Sequence, residues 1–276
     1  MTKGIPVVIV AGPTATGKSD LAIDLATRLK GEIVSADSMQ IYKRLDIATA
    51  KLPVSARNGI PHHMIDILEA NEVFSVQKYI TAAKQVINDI HNRGYLPIVC
   101  GGTGQYISSL VEGISYDRHP FDEEVRAKLS KEYDKDNGQS LFKLLQQRDP
   151  MSAAKLHIND KKRIVRALEM LNKDGLSKEE INSKSKEINP FDFFNIVLLP
   201  ASREHLYTRI NDRVEKMVED GLLEEAKYVF DNADSFITAR QAIGYKELFS
   251  YFNGEIDLDE AIDRLKQSSR RYAKNA

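Results

Sequence analysis

Eight residues near the start of the chain have the types and spacing needed to hold a polyphosphate: Gly12, Pro13, Thr14, Ala15, Thr16, Gly17, Lys18 and Ser19. They fill the pattern GxxxxGK[ST] at every fixed place. Glycines let the backbone curl until several N–H groups point inward. A helix starting there adds a field that favours anions. Lys18 brings a compact positive charge on a flexible stem. The Ser19 hydroxyl is an oxygen ligand suited to Mg²⁺. The pattern alone leaves the phosphate compound open, and ATP or GTP hydrolysis or phosphoryl transfer is its ordinary use.

Asp37 is the second chemical group. It follows the apolar run Glu32 to Ala36, and the carboxyl ends of parallel strands line ligand crevices. A carboxylate there can hold Mg²⁺ through water, take a proton from a nucleophile, or cap the next turn through Ser38 and Met39. Gln40 carries a donor and an acceptor that suit a base edge. Gly101-Gly102-Thr103-Gly104 closes a further strand. Thr103 there is either a hydroxyl donor or part of a plain strand-to-helix turn. The run Tyr95 to Cys100 ends without the carboxylate that orients metal in many nucleotide hydrolases, which weighs against the ordinary use of the loop. Adjacent His62 and His63 point in different directions and lack further ligands, so they do not make a four-ligand zinc site. Loop anchoring or substrate contact is the better reading.

The elements that must position these groups follow from periodicity. Ile5 to Ala11 is apolar and β-branched, and reads as a buried parallel strand. Leu21, Leu25 and Leu29 have helical spacing. Glu32 to Ala36 and Tyr95 to Cys100 read as strands. Phe74 to His91 reads as a helix capped by Ser75, and Thr103 to Leu110 as another. Alternating strands and helices predict a doubly wound α/β core. Past Gly113 the texture changes. Phe121 to Leu171 reads as helices with polar breaks, with a step at 138 to 140 and a helix start at Asp149-Pro150. Ser177 to Asn189 is polar and loop-like. Asn195 to Leu199 predicts a strand returning to the sheet. His205 to Phe230 predicts a long helix interrupted near Gly221, and Thr238 to Phe249 and Leu258 to Tyr272 two more. The predicted division is a core of 1–114 with 191–276 and a helical insertion over 115–190.

The 276 residues are 42% hydrophobic and 29% charged, an ordinary globular composition. No apolar run has membrane-spanning length, and Ile5 to Ala11 does not read as a signal peptide. A cytoplasmic location is therefore expected. Cys100, the single cysteine, excludes an intrachain disulfide and reads as a small buried hydrophobe. The net charge of −1 does not announce nucleic acid. Basic runs at Lys155 to Lys173 and from Arg264 onward are either solvated helix faces or backbone-binding surfaces.

Taken together the motifs resemble the bacterial tRNA isopentenyltransferase family. The matching pieces are Gly12 to Ser19, Asp37-Ser-Met-Gln-Ile-Tyr42, Pro61-His-His-Met-Ile-Asp66 and Gly101-Gly-Thr-Gly104. They continue with Lys162-Arg-Ile-Val-Arg-Ala-Leu-Glu169, Arg213-Val-Glu-Lys-Met217 with Gly221-Leu222, and Gln241-Ala-Ile-Gly-Tyr-Lys-Glu247. They occur in the family's order along nearly the whole chain. The resemblance implies a P-loop, nucleotide-kinase-like core whose helical insertion embraces a tRNA anticodon stem-loop. It implies transfer of a dimethylallyl group from dimethylallyl diphosphate to N6 of the adenosine 3′ of the anticodon, in tRNAs reading codons that begin with U.

By the same resemblance Gly12 to Ser19 grip diphosphate, with Mg²⁺ on Ser19. Lys18, Thr103 and Arg213 stabilise the leaving group, and Asp37 is the general base. Contacts to tRNA fall on Asp37, Ser38, Met39, Gln40, Thr103, Arg126, Lys161, Lys162, Arg163, Arg240, Gln241, Gly244 and Lys246. A monomer is expected. The family's tail continues past Lys274 with Arg-Gln and an aromatic segment where this sequence reads Asn275-Ala276, so a weaker grip on tRNA is expected, with the diphosphate site untouched. Two rivals share the loop: a nucleotide or small-molecule kinase, and a non-catalytic NTP-dependent RNA-binding switch.

Overall fold

The computed structural model describes residues 4–114, 122–174 and 189–274. Five parallel strands form one sheet in the order β3-β2-β4-β1-β5. They are β1 (Ile5–Ala11), β2 (Gly31–Ser35), β3 (His62–His63), β4 (Leu96–Gly101) and β5 (Phe191–Val197). Helices α1 (Lys18–Leu29), α2 (Val76–Asn92) and α3 (Gly104–Val111) are the crossovers. β2 is buried along its whole length, and β1 and β4 bury Val7, Ile9, Val10, Ile98 and Val99. That burial explains their continuous apolar runs, since parallel strands are covered on both faces. Ser75 caps α2 as its sequence predicts, with its hydroxyl oxygen accepting the Lys78 N–H.

The chain divides into two compact units, Met1–Val111 with Asn189–Ala276 and Glu112–Ile188. In the second unit lie α4 (Glu123–Asp136), α5 (Gln139–Arg148), α6 (Pro150–Ala153) and α7 (Lys161–Asp174). Leu129, Leu141, Leu145, Ile164 and Leu168 make its core. The breaks fall at turn chemistry: Gly138 has φ +82° before α5, and the Asp149 carboxylate accepts the Ser152 N–H at the start of α6. The polar stretch Ser177 to Asn189 lies outside the described residues except for Asn189. In the first unit, α8 (Arg203–Glu219) and α9 (Leu222–Asp231) are parted by Gly221 at φ +102°. α10 (Phe249–Phe252) and α11 (Leu258–Lys274) complete it.

Four expectations need correction. The return strand is Phe191–Val197, not Asn195 to Leu199. Its start alternates buried Phe191 with the exposed acid Asp192, and as an edge strand it leaves Phe194 and Val197 exposed, so no continuous apolar run marks it. Thr238 to Phe249 is no continuous helix but two single 3₁₀ turns, Ala239–Gln241 and Lys246–Leu248. Gly244 at φ +108° breaks it, and the Glu247 carboxylate accepts the Gly244 N–H. The histidine pair lies not in a loop but in the short strand β3, paired with Ile33 and Val34, while His62 still lines the cleft described next. Cys100 is half-buried and faces the cleft described next, although burial still raises its thiol to about 11.

Candidate active site

The site is built at the carboxyl ends of β1, β2 and β4. Gly12 takes φ +139° directly after β1, where a Cβ would lie 2.3 Å from the Leu198 carbonyl oxygen. Only glycine passes there. Ala15 and Gly17 also have positive φ, curling the loop before Lys18 opens α1. The Thr16 hydroxyl and the Lys18 ammonium both donate to the Pro13 carbonyl, at 2.8 and 2.5 Å. Arg213, from α8, donates to the Thr14 hydroxyl at 2.9 Å. An arginine 199 residues away is thus fixed onto the phosphate loop.

Two half-buried cations meet at this spot. Burial lowers the Lys18 pKa, and the Arg213 charge adds to that, while Cys100 and Asp37 pull the other way. Burial likewise lowers Arg213; Asp37 opposes the shift and Arg209 reinforces it. Partly desolvated positive charges beside curled backbone amides are the chemistry that suits a multiply charged anion.

Opposite the loop stands Asp37. Its Oδ1 accepts the N–H groups of Met39 at 2.8 Å and Gln40 at 3.2 Å. The capping role is thus carried by Oδ1 alone, and Oδ2 takes no hydrogen bond among the described residues. Thr103 Oγ1 accepts the Ser38 N–H at 3.0 Å, leaving its own hydrogen free to donate. Gly101 allows this approach of β4 to β2, because a Cβ there would lie 2.2 Å from the Ala36 oxygen. The Gln40 amide is tied at both ends, accepting from Ser35 at 3.3 Å and donating to the Thr49 carbonyl at 3.1 Å. Ser19, Asp37, Gln40, Lys18 and Arg213 line a common cleft of about 800 Å³.

Several lining residues escaped the sequence reading. Lys51, with a side chain only 4% exposed, pairs with Asp46 at 2.5 Å and Asp66 at 2.6 Å. Arg209 and Lys216 add positive charge from α8, and Tyr272 reaches the cleft from α11. Helical spacing from Arg213 would have flagged Arg209 and Lys216. Lys51 and Tyr272 gave no such signal.

The other basic positions divide by environment. Lys162 and Arg163 are exposed on α7. Lys161 pairs with Asp134 at 2.7 Å and lies 5.6 Å from the Tyr133 ring centre. Arg126 donates to the buried Glu169 at 2.9 and 3.1 Å. Burial pushes the Glu169 carboxyl up, but the Asp122 N–H, Arg166 and Arg126 together draw it below the usual range. Arg240 donates to the Ala233 carbonyl at 2.9 Å. Gln241 and Lys246 are exposed, whereas Gly244 is buried. No described helix is long and apolar enough to cross a membrane, and the described residues hold no cluster of three or more His, Cys, Asp or Glu side chains arranged for a metal.

The chain is similar to known proteins along nearly its full length. The profile of the IPP transferase family matches residues 40–275. A tRNA dimethylallyltransferase from Caldanaerobacter subterraneus subsp. tengcongensis is 45% identical over 273 residues, 98% of this chain and 87% of that protein. One from Bacillus licheniformis is 44% identical, covering 98% of this chain and 85% of its own. The crystal structure of the full-length tRNA isopentenylpyrophosphate transferase from Bacillus halodurans matches with a TM-score of 0.70 at 40% identity, over 98% of this chain and 84% of that one. A eukaryotic dimethylallyltransferase acting on tRNA matches with a TM-score of 0.81 at 31% identity, over 98% and 68%. With a family model over residues 40–275 and relatives 44–45% identical across 98% of its length, the chain belongs to the IPP transferase family.

Proposed function

We propose that this protein transfers a dimethylallyl group from dimethylallyl diphosphate to N6 of the adenosine immediately 3′ of a tRNA anticodon, in tRNAs reading codons that begin with U. One observation carries the reading: two half-buried cations, Lys18 in the phosphate loop and Arg213 bonded to it, line one cleft with a carboxylate that keeps a free oxygen. Family membership supplies the group transferred and the acceptor.

The diphosphate sits in the loop of Gly12 to Ser19. As the C1–O bond breaks, its electron pair leaves on the bridging oxygen. Lys18, Arg213 and the loop amides hold that growing charge, and donors aimed at developing charge lower the barrier. The Thr103 hydroxyl hydrogen is free to add to them. N6 attacks C1 to form the new C–N bond, and Asp37 Oδ2 takes the N6 proton. Adenine's amine is a weak nucleophile, so alignment and a held carboxylate matter more than a reactive side chain. The adenosine must leave its stack, which costs less in a loop than in a duplex. Ser38, Met39 and Gln40 follow the base in sequence and form the neighbourhood of that adenosine.

Mg²⁺ fits this donor set. Ser19 offers one hard oxygen in the cleft and the described residues offer no protein cage, which suits an ion held mainly by diphosphate and water. Bound there through Ser19, it would neutralise charge on the leaving diphosphate.

The unit Glu112–Ile188 is the proposed arm for the anticodon stem-loop, through exposed Lys162 and Arg163. Lys161, Arg126, Arg240, Gln241, Gly244 and Lys246 belong to the proposed tRNA-binding set as well. A soluble cytoplasmic monomer is part of the same reading.

The test is incubation with Mg²⁺, radiolabelled dimethylallyl diphosphate and an unmodified anticodon stem-loop carrying adenosine after the anticodon. Label should enter the RNA. No label, with ATP consumed and a small acceptor phosphorylated instead, would establish the kinase alternative.

A further inference from the structure

The wall of the cleft formed by Asp46, Ile47, Thr49, Ala50 and Lys51 belongs to no strand or long helix. Two turn bonds close it from within, Ala50 N–H to the Ile47 carbonyl and Lys51 N–H to the Asp46 carbonyl, both at 2.9 Å, and its first three amides go to one side chain from far along the chain. The Glu225 carboxylate, on α9, accepts the N–H groups of Asp46 at 2.6 Å, Ile47 at 2.9 Å and Ala48 at 3.0 Å. Three consecutive amides converging on one anion make a nest. Hydrogen bonds to an ionised acceptor are about twice as strong as neutral ones. The Tyr245 hydroxyl, on a fully buried ring, donates to the same carboxylate at 2.8 Å. Gly244 packs its backbone on the same loop, where a Cβ would lie 2.5 Å from the Ala48 Cβ.

What the loop carries gives the clamp its meaning. The Thr49 carbonyl accepts the Gln40 amide at 3.1 Å, and the Gln40 N–H is one of the two that hold Asp37 Oδ1. Lys51 donates to the Tyr42 carbonyl at 2.9 Å as well as to its two aspartates, so its ammonium is fixed at the cleft wall. The loop's own turn bonds leave the Asp46, Ile47 and Ala48 amides unused, so its shape depends on the group that satisfies them.

We propose that Glu225, backed by Tyr245, is a positioning residue that holds the Asp46–Lys51 wall of the cleft in the shape that receives the prenyl donor. This rests on the prenyl-transfer reading. It also assigns Gly244 and Tyr245, inside the Gln241 to Glu247 motif, to shaping the cleft from within.

The test compares Glu225→Gln, Tyr245→Phe and, as a control on the same helix, Glu224→Gln. Amide exchange at Asp46, Ile47 and Ala48 should quicken by about tenfold or more in Glu225→Gln while amides of β1 and β4 keep their protection. The Kd for dimethylallyl diphosphate, measured by calorimetry, should rise about fivefold or more in Glu225→Gln and about twofold in Tyr245→Phe. KM for the donor should move by more than kcat, and Glu224→Gln should match the wild type. If Glu225→Gln fails to fold, Tyr245→Phe decides by the same readouts. Unchanged exchange at the three amides, or faster exchange with an unchanged donor Kd, would overturn the assignment. If the wild type binds the donor but transfers nothing to RNA, only the reading of the reaction fails, and the clamp is judged on Kd and exchange.

Discussion

At Asp37, Oδ1 already accepts the Met39 and Gln40 N–H groups, so replacing Oδ2 by an amide nitrogen leaves the local turn intact. Asp37→Asn should therefore keep its Kd for dimethylallyl diphosphate while single-turnover transfer falls by about 10²-fold or more, the usual range for a lost general base. Equal rates in the two proteins would remove Asp37 from that role. Thr103 calls for two substitutions. Thr103→Ser keeps an oxygen for the Ser38 N–H and should transfer within about threefold of wild type; Thr103→Ala leaves that half-buried N–H unpaired and should slow transfer about tenfold or more, because a donor that loses its partner shifts its segment. Rates that fail to separate the two variants would dismiss the hydroxyl. At this scale the fixed spelling of the phosphate loop and Asp37 at its strand end were legible, because each rests on local backbone geometry. Lys51 and Glu225 were not. Their roles come from pairings that join residues 177 to 179 positions apart, or that close within a loop of no regular period.

Among the elements, β4 comes up at Gly101 against Ala36, the residue that follows β2. Gly101→Ala would drive a Cβ into the Ala36 oxygen and should cost about 1–3 kcal/mol in urea denaturation, as overpacking does. Glu32 on β2 gives the sheet an acid dependence. The Arg93 guanidinium holds its carboxyl below the usual range, burial opposes this, and His63 assists. A carboxyl whose folded value is depressed contributes fully above its unfolded value of about 4.3 and loses that contribution as pH falls through the folded one. The stability difference between wild type and Glu32→Gln should therefore be constant near neutral pH and shrink below about pH 4. A difference unchanged down to about pH 3 would refute the ion pair's part. Elements with strong periods and caps, such as β1 and α2, were readable to within a residue or two. β5 was not, because an edge strand shows water the side chains that a buried strand hides. The Thr238 to Phe249 turns were missed because Gly244 packs on Ala48, a contact that no local pattern announces.

For the whole molecule, the reading of residues 112–188 as an RNA arm makes salt the decisive variable. Lys162→Ala and Arg163→Ala should each lower the slope of log K against log salt for the anticodon stem-loop by about 0.7–0.9 while leaving the donor Kd unchanged. An unaltered slope would withdraw those residues from the interface. The strand order carries one more consequence. β1 lies between β4 and β5, yet the chain completes α3 at Val111 and does not reach β5 until Phe191. A ribosome working at ~5–20 residues per second needs ~4–16 s to make those intervening residues. Throughout that interval the outer edge of β1, seven residues of IPVVIVA, has no hydrogen-bonding neighbour on the nascent polypeptide. An open apolar edge is a template for pairing with other chains. Birth, more than the finished fold, is when this protein is most exposed to aggregation, and a chaperone that shields its first strand would act there.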